Sequence, residues 1–375
     1  MNASGPSLAC FPADYFEARA RFLTLARERG AELAHYPIDA RGPGGEELTI
    51  DTAYLGAQTP QRLLVVLSGT HGVEGFAGSA LQQHWLQATR PEDLPEDGGC
   101  LLIHAVNPYG FAWRRRVNEH NVDLNRNALA TFPGPPNRGY DTLAAWLNPR
   151  TPPRAIDLFW VQGMLRLLRH GRGPLQQAIL SGQYRHPQGL FYGGRALEPS
   201  VRTILELLRA PRWRDARRVL VLDLHTGYGR YGSHTLMADM DPASEAYRDL
   251  VRWFGAERVS TSRTPGAIAY PVSGGLSECL DAQLRAHAAV LEFGTYGAAR
   301  VLAALRRENR AFHYDGADSR ARRRAAAELE ELFCPRDPRW RRCLLAQGSA
   351  VLAQAARACF SRAPDATGHA RAQEE

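Results

Sequence analysis

The chain contains no lysine: all 46 of its basic residues are arginine. That absence excludes a P-loop, a protein-kinase site and any Schiff-base enzyme, because each needs an amine in a fixed role. It also changes the meaning of the net charge of +7. A lysine-free, Ala- and Arg-rich composition reads as codon bias rather than as a selected binding surface. Arginines cluster at 114–116, 306–310 and 320–324 without interleaved aromatics, so no nucleic-acid partner is expected. No C-x-x-C pair occurs, and Cys10, Cys100, Cys279, Cys334, Cys343 and Cys359 are scattered. This pattern favours free structural thiols over a disulfide framework or a thiolate metal site. No apolar run approaches the roughly 18 residues that cross a bilayer. The first residues lack a basic segment followed by a long apolar one. No membrane partner and a cytoplasmic location are therefore expected.

Compact apolar runs occur at 62–68 (RLLVVLS), 100–106 (CLLIHAV), 218–224 (RVLVLDL) and 287–293 (HAAVLEF). Each has the length of a buried strand, and helical patterns separate them. The alternation predicts an α/β fold: a mostly parallel mixed sheet with helices on both faces. Residues 12–34 read as an opening helix and 46–54 as a short extended stretch. The Pro-, Gly- and Arg-rich segment 131–194 reads as an insertion over one face, with one helix near 156–169. From Gly297 onward the pattern is helical. One catalytic domain over 1–360 is expected, followed by a disordered tail over 361–375.

Buried strands that end in His or Glu are unusual, because those side chains are costly to desolvate unless paired or metal-bound. His71 and Glu74 lie in the glycine-flanked loop after the first run, His225 just past the third, and Glu292 near the end of the fourth. Parallel strands deliver their carboxyl ends to one edge, where ligands bind. Two imidazoles and a carboxylate with an open fourth position form the ligand pattern of catalytic zinc in hydrolases. The remaining carboxylate, Glu292, is then free to act as general base. His104 and His234 read instead as core or supporting groups. His84, His120, His170, His186 and His313 have no partner at ligand spacing, which suits solvent-facing roles.

Four segments in this order, GTHGVEG (69–75), NVDLNRN (121–127), DLHTG (223–227) and LEFGTY (291–296), resemble the zinc carboxypeptidase family related to pancreatic carboxypeptidase A. The resemblance spans about 60–300. It is closest to a bacterial branch catalogued only as a domain of unknown function, and extends to the aspartoacylase and succinylglutamate desuccinylase group. It implies a zinc-carboxypeptidase-like fold and one Zn²⁺ held by His71, Glu74 and His225, with Glu292 as the catalytic base. It also implies that Asn125 and Arg126 grip a substrate carboxylate, a task that suits a planar guanidinium. Tyr270, in YPVSGG, resembles a mobile tyrosine that closes over substrate. The oxyanion-stabilising arginine falls among Arg114, Arg115 and Arg116, of which Arg116 fits the family interval best.

The implied activity is removal of a C-terminal amino acid from a peptide or peptide-like amide. The alternatives are a deacylase of small N-acyl amino acids and a non-catalytic zinc-binding protein. The Ser273-Gly274-Gly275 segment favours the peptidase, whereas an insertion that narrows the pocket would favour a small substrate. By position, Ser277 and Glu278 are candidates to line a specificity pocket.

Overall fold

Four strands that are apolar on both faces set the architecture. The computed structural model describes residues 8–154, 157–263 and 271–361. One sheet contains β1 (Glu32–Arg41), β2 (Glu47–Gly56), β3 (Arg62–Ser68), β4 (Gly98–His104), β5 (Arg218–Thr226), β6 (His234–Met237), β7 (Val259–Ser260) and β8 (His287–Phe293). Their order is β1-β2-β4-β3-β5-β8-β6-β7. The central strands β4, β3, β5 and β8 are mutually parallel, while β1, β2 and β6 run antiparallel to neighbours. The fold is α/β, with a mostly parallel mixed sheet between helical layers.

The two-residue alternation of a strand sends successive side chains to opposite layers. Leu64, Val66, Leu220, Leu222 and Leu291 pack with helices Tyr15–Glu28, Gly75–Ala88 and Pro338–Phe360. Leu63, Val65, Leu67, Val219 and Val221 pack with helices Pro199–Leu208 and Leu276–Leu284. Both faces of the central strands are thus covered, which is why their sequences read as continuous apolar runs.

The outer parts differ from the sequence expectation. The opening helix is shorter than 12–34: Asp14 caps it, its carboxylate accepting from the Glu17 N–H at 2.8 Å. The chain leaves it through Gly30 at φ +70° and continues directly into β1. Within 131–194 there are three helices, Arg138–Leu147, Phe159–His170 and Arg172–Leu180, where one was expected. Tyr140, Leu143, Trp146 and Ile179 from this segment form a separate apolar cluster with Val301, Leu305, Leu329 and Phe333. The tail beyond 361 lies outside the described residues. No helix among the described residues is long and apolar enough to cross a membrane.

Candidate metal centre and its cavity

The carboxyl ends of β3, β5 and β8 bring four polar side chains to one place. After β3, Gly69 turns the chain at φ +65° into the short 3₁₀ turn Gly72–Glu74. The N–H groups of Gly72 and Val73 donate to the carbonyls of Arg116 and Arg115 at 3.1 and 2.8 Å. A Cβ on Gly72 would fall 2.0 Å from the Gly110 carbonyl carbon, so only glycine permits this close approach. His225 and Glu292 sit in register on the adjacent parallel strands β5 and β8. The parity that buries Val219 and Val221 on one layer also carries Asp223 and His225 to that side.

His71, Glu74 and His225 are all buried, and their ligand atoms lie within 4.8 Å of one another. His71 Nδ1 is 2.8 Å from Glu74 Oε1 and 3.0 Å from His225 Nδ1, which is itself 3.0 Å from Glu74 Oε2. Donors about 2.0–2.2 Å from a tetrahedral ion are roughly 3.3–3.6 Å apart, so an outward shift of a few tenths of an ångström admits one. The opposite nitrogens each lie close to a carboxylate. His71 Nε2 lies 3.0 Å from Asp123 Oδ1, and His225 Nε2 lies 2.8 Å from Asp223 Oδ2. Thr70 Oγ1 donates to Asp223 at 2.9 Å. A carboxylate behind each imidazole, leaving the other nitrogen for a cation, is how metal-ligating histidines are oriented. The residues present fit a divalent ion.

Asp123 and Asp223 lie inside the sequence motifs with no such role expected of them. Asp223 had a signal, since a residue two before His225 on a strand shares its face. Asp123 had none, because its partner His71 is 52 positions away. Asp123→Asn and Asp223→Asn are each expected to weaken metal affinity by about 10–100-fold. Competition against a chromogenic chelator measures this, and affinities equal to the parent protein would show that the carboxylates do not orient the ligands.

Charge interactions within the site outweigh burial at three of its groups. Burial would raise the Glu74 carboxyl, but the imidazoles of His71 and His225 outweigh it and hold it below the ordinary carboxylate range. Burial likewise opposes ionisation of Asp123, yet Arg116 and His71 keep it well below its usual value. Burial lowers His225, but Asp223 and Glu74 dominate and raise it well above an ordinary imidazole. At Glu292 the lowering effects of His225, the Tyr228 N–H and Arg116 are too weak to offset burial. Desolvation and the neighbouring Glu74 push it up to about 8, against the Tyr228 N–H that donates to its Oε1 at 2.9 Å.

The three candidate arginines separate cleanly. Arg114 pairs with Glu330, and Arg115 is buried against Glu308 and Asn121. Arg116 reaches the centre: its Nη1 donates to Glu74 Oε1 and its Nε to Asp123 Oδ2, both at 3.2 Å. His71, Glu74, Arg116, Asn125, His225 and Glu292 all line one cavity of about 850 Å³. The Asn125 side-chain oxygen accepts from the Leu276 N–H at 2.9 Å, which leaves its NH₂ as donor.

Arg126 departs from its expected place beside Asn125. Its Nε and Nη2 donate to the Leu180 carbonyl at 3.1 and 2.7 Å, and its Nη1 to the Asn125 carbonyl at 2.6 Å. The guanidinium is spent on backbone and is not among the described groups that line the cavity. The reason is the insertion, which brings Leu180 against it. The arginines that do line the cavity among the described residues are Arg116, Arg172 and Arg300. Tyr270 lies outside the described residues. Next to the segment that follows it, the Ala128 N–H donates to the Gly274 carbonyl at 3.0 Å. Gly274 has φ +74°, and a Cβ there would meet the Arg126 carbonyl oxygen at 2.4 Å.

Ser277 and Glu278 also line the cavity, with Asp239 and Asp281. Burial and the nearby Asp239 raise Glu278 to about 7. Of the remaining histidines, His104 is buried, its Nε2 2.9 Å from Ser79 Oγ, and burial depresses it to about 4. His120 and His186 gain partners from distant chain, Glu198 at 2.7 Å and Asp141 at 2.9 Å.

The chain belongs to the family described as Protein of unknown function (DUF2817), which matches residues 11–347. No curated protein matches it. Among solved structures it is similar to a metallo-carboxypeptidase from Burkholderia cenocepacia, with 12% identity over 89% of this chain and 69% of the other, at a TM-score of 0.39. Carboxypeptidase A from Helicoverpa armigera shares 14% identity over 84% of this chain and 73% of its own, at a TM-score of 0.42. A metallo-carboxypeptidase from Pseudomonas aeruginosa, solved with (2-guanidinoethylmercapto)succinic acid, shares 15% identity over 90% and 68%, also at 0.42.

Proposed function

We propose that the chain is a zinc-dependent amide hydrolase that releases a C-terminal amino acid from a peptide or peptide-like substrate. The observation that carries this reading is the convergence of His71 Nδ1, His225 Nδ1 and the Glu74 carboxylate on one point beside Glu292, within a cavity. Zinc, when bound, would polarise the scissile carbonyl and acidify a water molecule. Asp123 and Asp223 lie behind the two imidazoles, whose Nδ1 atoms would hold the ion together with Glu74. Glu292 takes a proton from the attacking water, whose oxygen bonds to the carbonyl carbon. Arg116 donates to the carbonyl oxygen as negative charge develops there. The carbon–nitrogen bond then breaks, and Glu292 returns the proton to the departing amine. Asn125 and an arginine of the cavity position the substrate through its carboxylate. A cytoplasmic setting belongs to the same reading, consistent with six unpaired cysteines.

A deacylase of N-acyl amino acids is the second reading. Its substrates also carry a carboxylate, and the engagement of Arg126 with Leu180 leaves that group to other cavity residues in either reading. Metal analysis of the purified protein, followed by parallel assays of a C-terminally free dipeptide and an N-acyl amino acid, tests both. About one zinc per chain with turnover of the dipeptide supports the first reading. Turnover of the acyl amino acid alone supports the second, and tightly bound zinc with neither activity supports a non-catalytic zinc protein.

A further inference from the structure

The cavity is larger and more apolar than hydrolysis of a short amide needs. Its volume of about 850 Å³ lies in the upper part of the roughly 300–1,000 Å³ that holds drug-sized ligands. An acetyl or succinyl group would leave most of it as exposed apolar wall. Polar groups line the metal-ligand end, with Asp239, Glu278 and Asp281, and Arg172, Gln176 and Arg300 also reach the lining. The opposite wall comes from the insertion, where Trp146, Phe159, Trp160, Met164, Leu167 and Ile179 line the cavity. The insertion therefore does not narrow the site; it adds an apolar wall to it.

The same wall continues to the outside. In helix Phe159–His170, Trp160, Met164 and Leu167 face the cavity at helical spacing, while the adjoining face carries Val161, Leu165 and Leu168, 59%, 61% and 76% exposed. Residues 158–180 contain no acidic side chain, and Arg166, Arg169 and Arg172 flank the apolar stripe. Isolated exposed apolar residues are ordinary, but a contiguous apolar face running into a cavity marks a ligand surface.

We infer that the substrate is an amide whose acyl part is a long hydrocarbon chain, such as a fatty-acyl amino acid. The inference rests on the amide-hydrolase reading for its chemistry, but the apolar wall stands independently of it. The scissile amide lies at the metal-ligand end between Arg116 and Glu292, and the chain lies along the insertion wall toward Leu167. Water expelled from that wall supplies the affinity, about fourfold per buried methylene, the equivalent of ~0.8 kcal/mol. The N-acyl bond is the one that breaks. The products are a fatty acid and a free amine, with water as co-reactant.

Two measurements on the full chain test this, with N-acetyl-, N-hexanoyl- and N-dodecanoyl-phenylalanine kept below micelle formation. The first is calorimetric binding to the metal-free protein, and the second is hydrolysis by the zinc-loaded protein. Dodecanoyl-phenylalanine is expected to bind and react at least roughly a hundredfold better than the acetyl compound. Leu167→Asp, at a position 38% exposed where folding tolerates charge, is expected to collapse that ratio in both measurements. Chain-length-dependent binding without hydrolysis of any member would uphold the apolar substrate class and overturn the hydrolase reading. Equal binding of acetyl and dodecanoyl compounds, or a ratio unchanged by Leu167→Asp, would overturn the inference itself.

Discussion

Glu292→Gln is expected to retain about one equivalent of zinc while its turnover falls by about 10²–10⁴. The two effects separate because Glu292 is outside the three-donor group. Its carboxylate accepts from the Tyr228 N–H, whereas Glu74 is the carboxylate between the imidazoles. Glutamine preserves the shape and the acceptor for that N–H, and removes only the capacity to carry a proton. Metal analysis and steady-state assay of the same preparation read both quantities. Loss of zinc from the variant would make Glu292 a ligand and reverse its role with Glu74.

Arg116→Ala is expected to lower kcat by about 10²–10³, the usual consequence of losing one oxyanion donor. The variant must also be read as a change in the metal site, because Arg116 donates to both Glu74 and Asp123. Without it the buried Asp123 loses a cation that keeps it ionised, and metal binding is expected to weaken. Assay at saturating zinc separates the two effects. A kcat that stays low shows that Arg116 acts on the reacting carbonyl, whereas full recovery restricts it to supporting the ligands. Arg116→Lys restores a charge but not the planar fork, and so recovers only part of the activity.

The sequence made the central strands legible because both of their faces are buried, leaving runs of apolar residues with nothing to confuse them. β1 was hidden by its one-sided alternation, in which Glu32, His35 and Asp39 interrupt the pattern directly after a helix. β6 and β7 span only four and two residues, too short to show a period. The metal-ligand candidates stood out for a physical reason: His225 and Glu292 are polar groups at the ends of otherwise apolar strands. The surroundings of Arg126 are not legible because they are set by Leu180, 54 positions later in a segment whose three helices are obscured by proline and glycine. Arg114, Arg115 and Arg116 differ through partners as remote as Glu330 and Glu308, which adjacency in the sequence does not reveal.

The imidazoles that meet at the centre are 154 positions apart in the chain. An ion gripping both would serve as a cross-link, closing a loop that takes in the whole insertion and stapling β3 to β5 at one end. Such a ligand site does not exist in the unfolded polypeptide, so the free energy of capture adds directly to the free energy of folding. Cofactor and scaffold would then be thermodynamically one object, and a chelator would act as a denaturant.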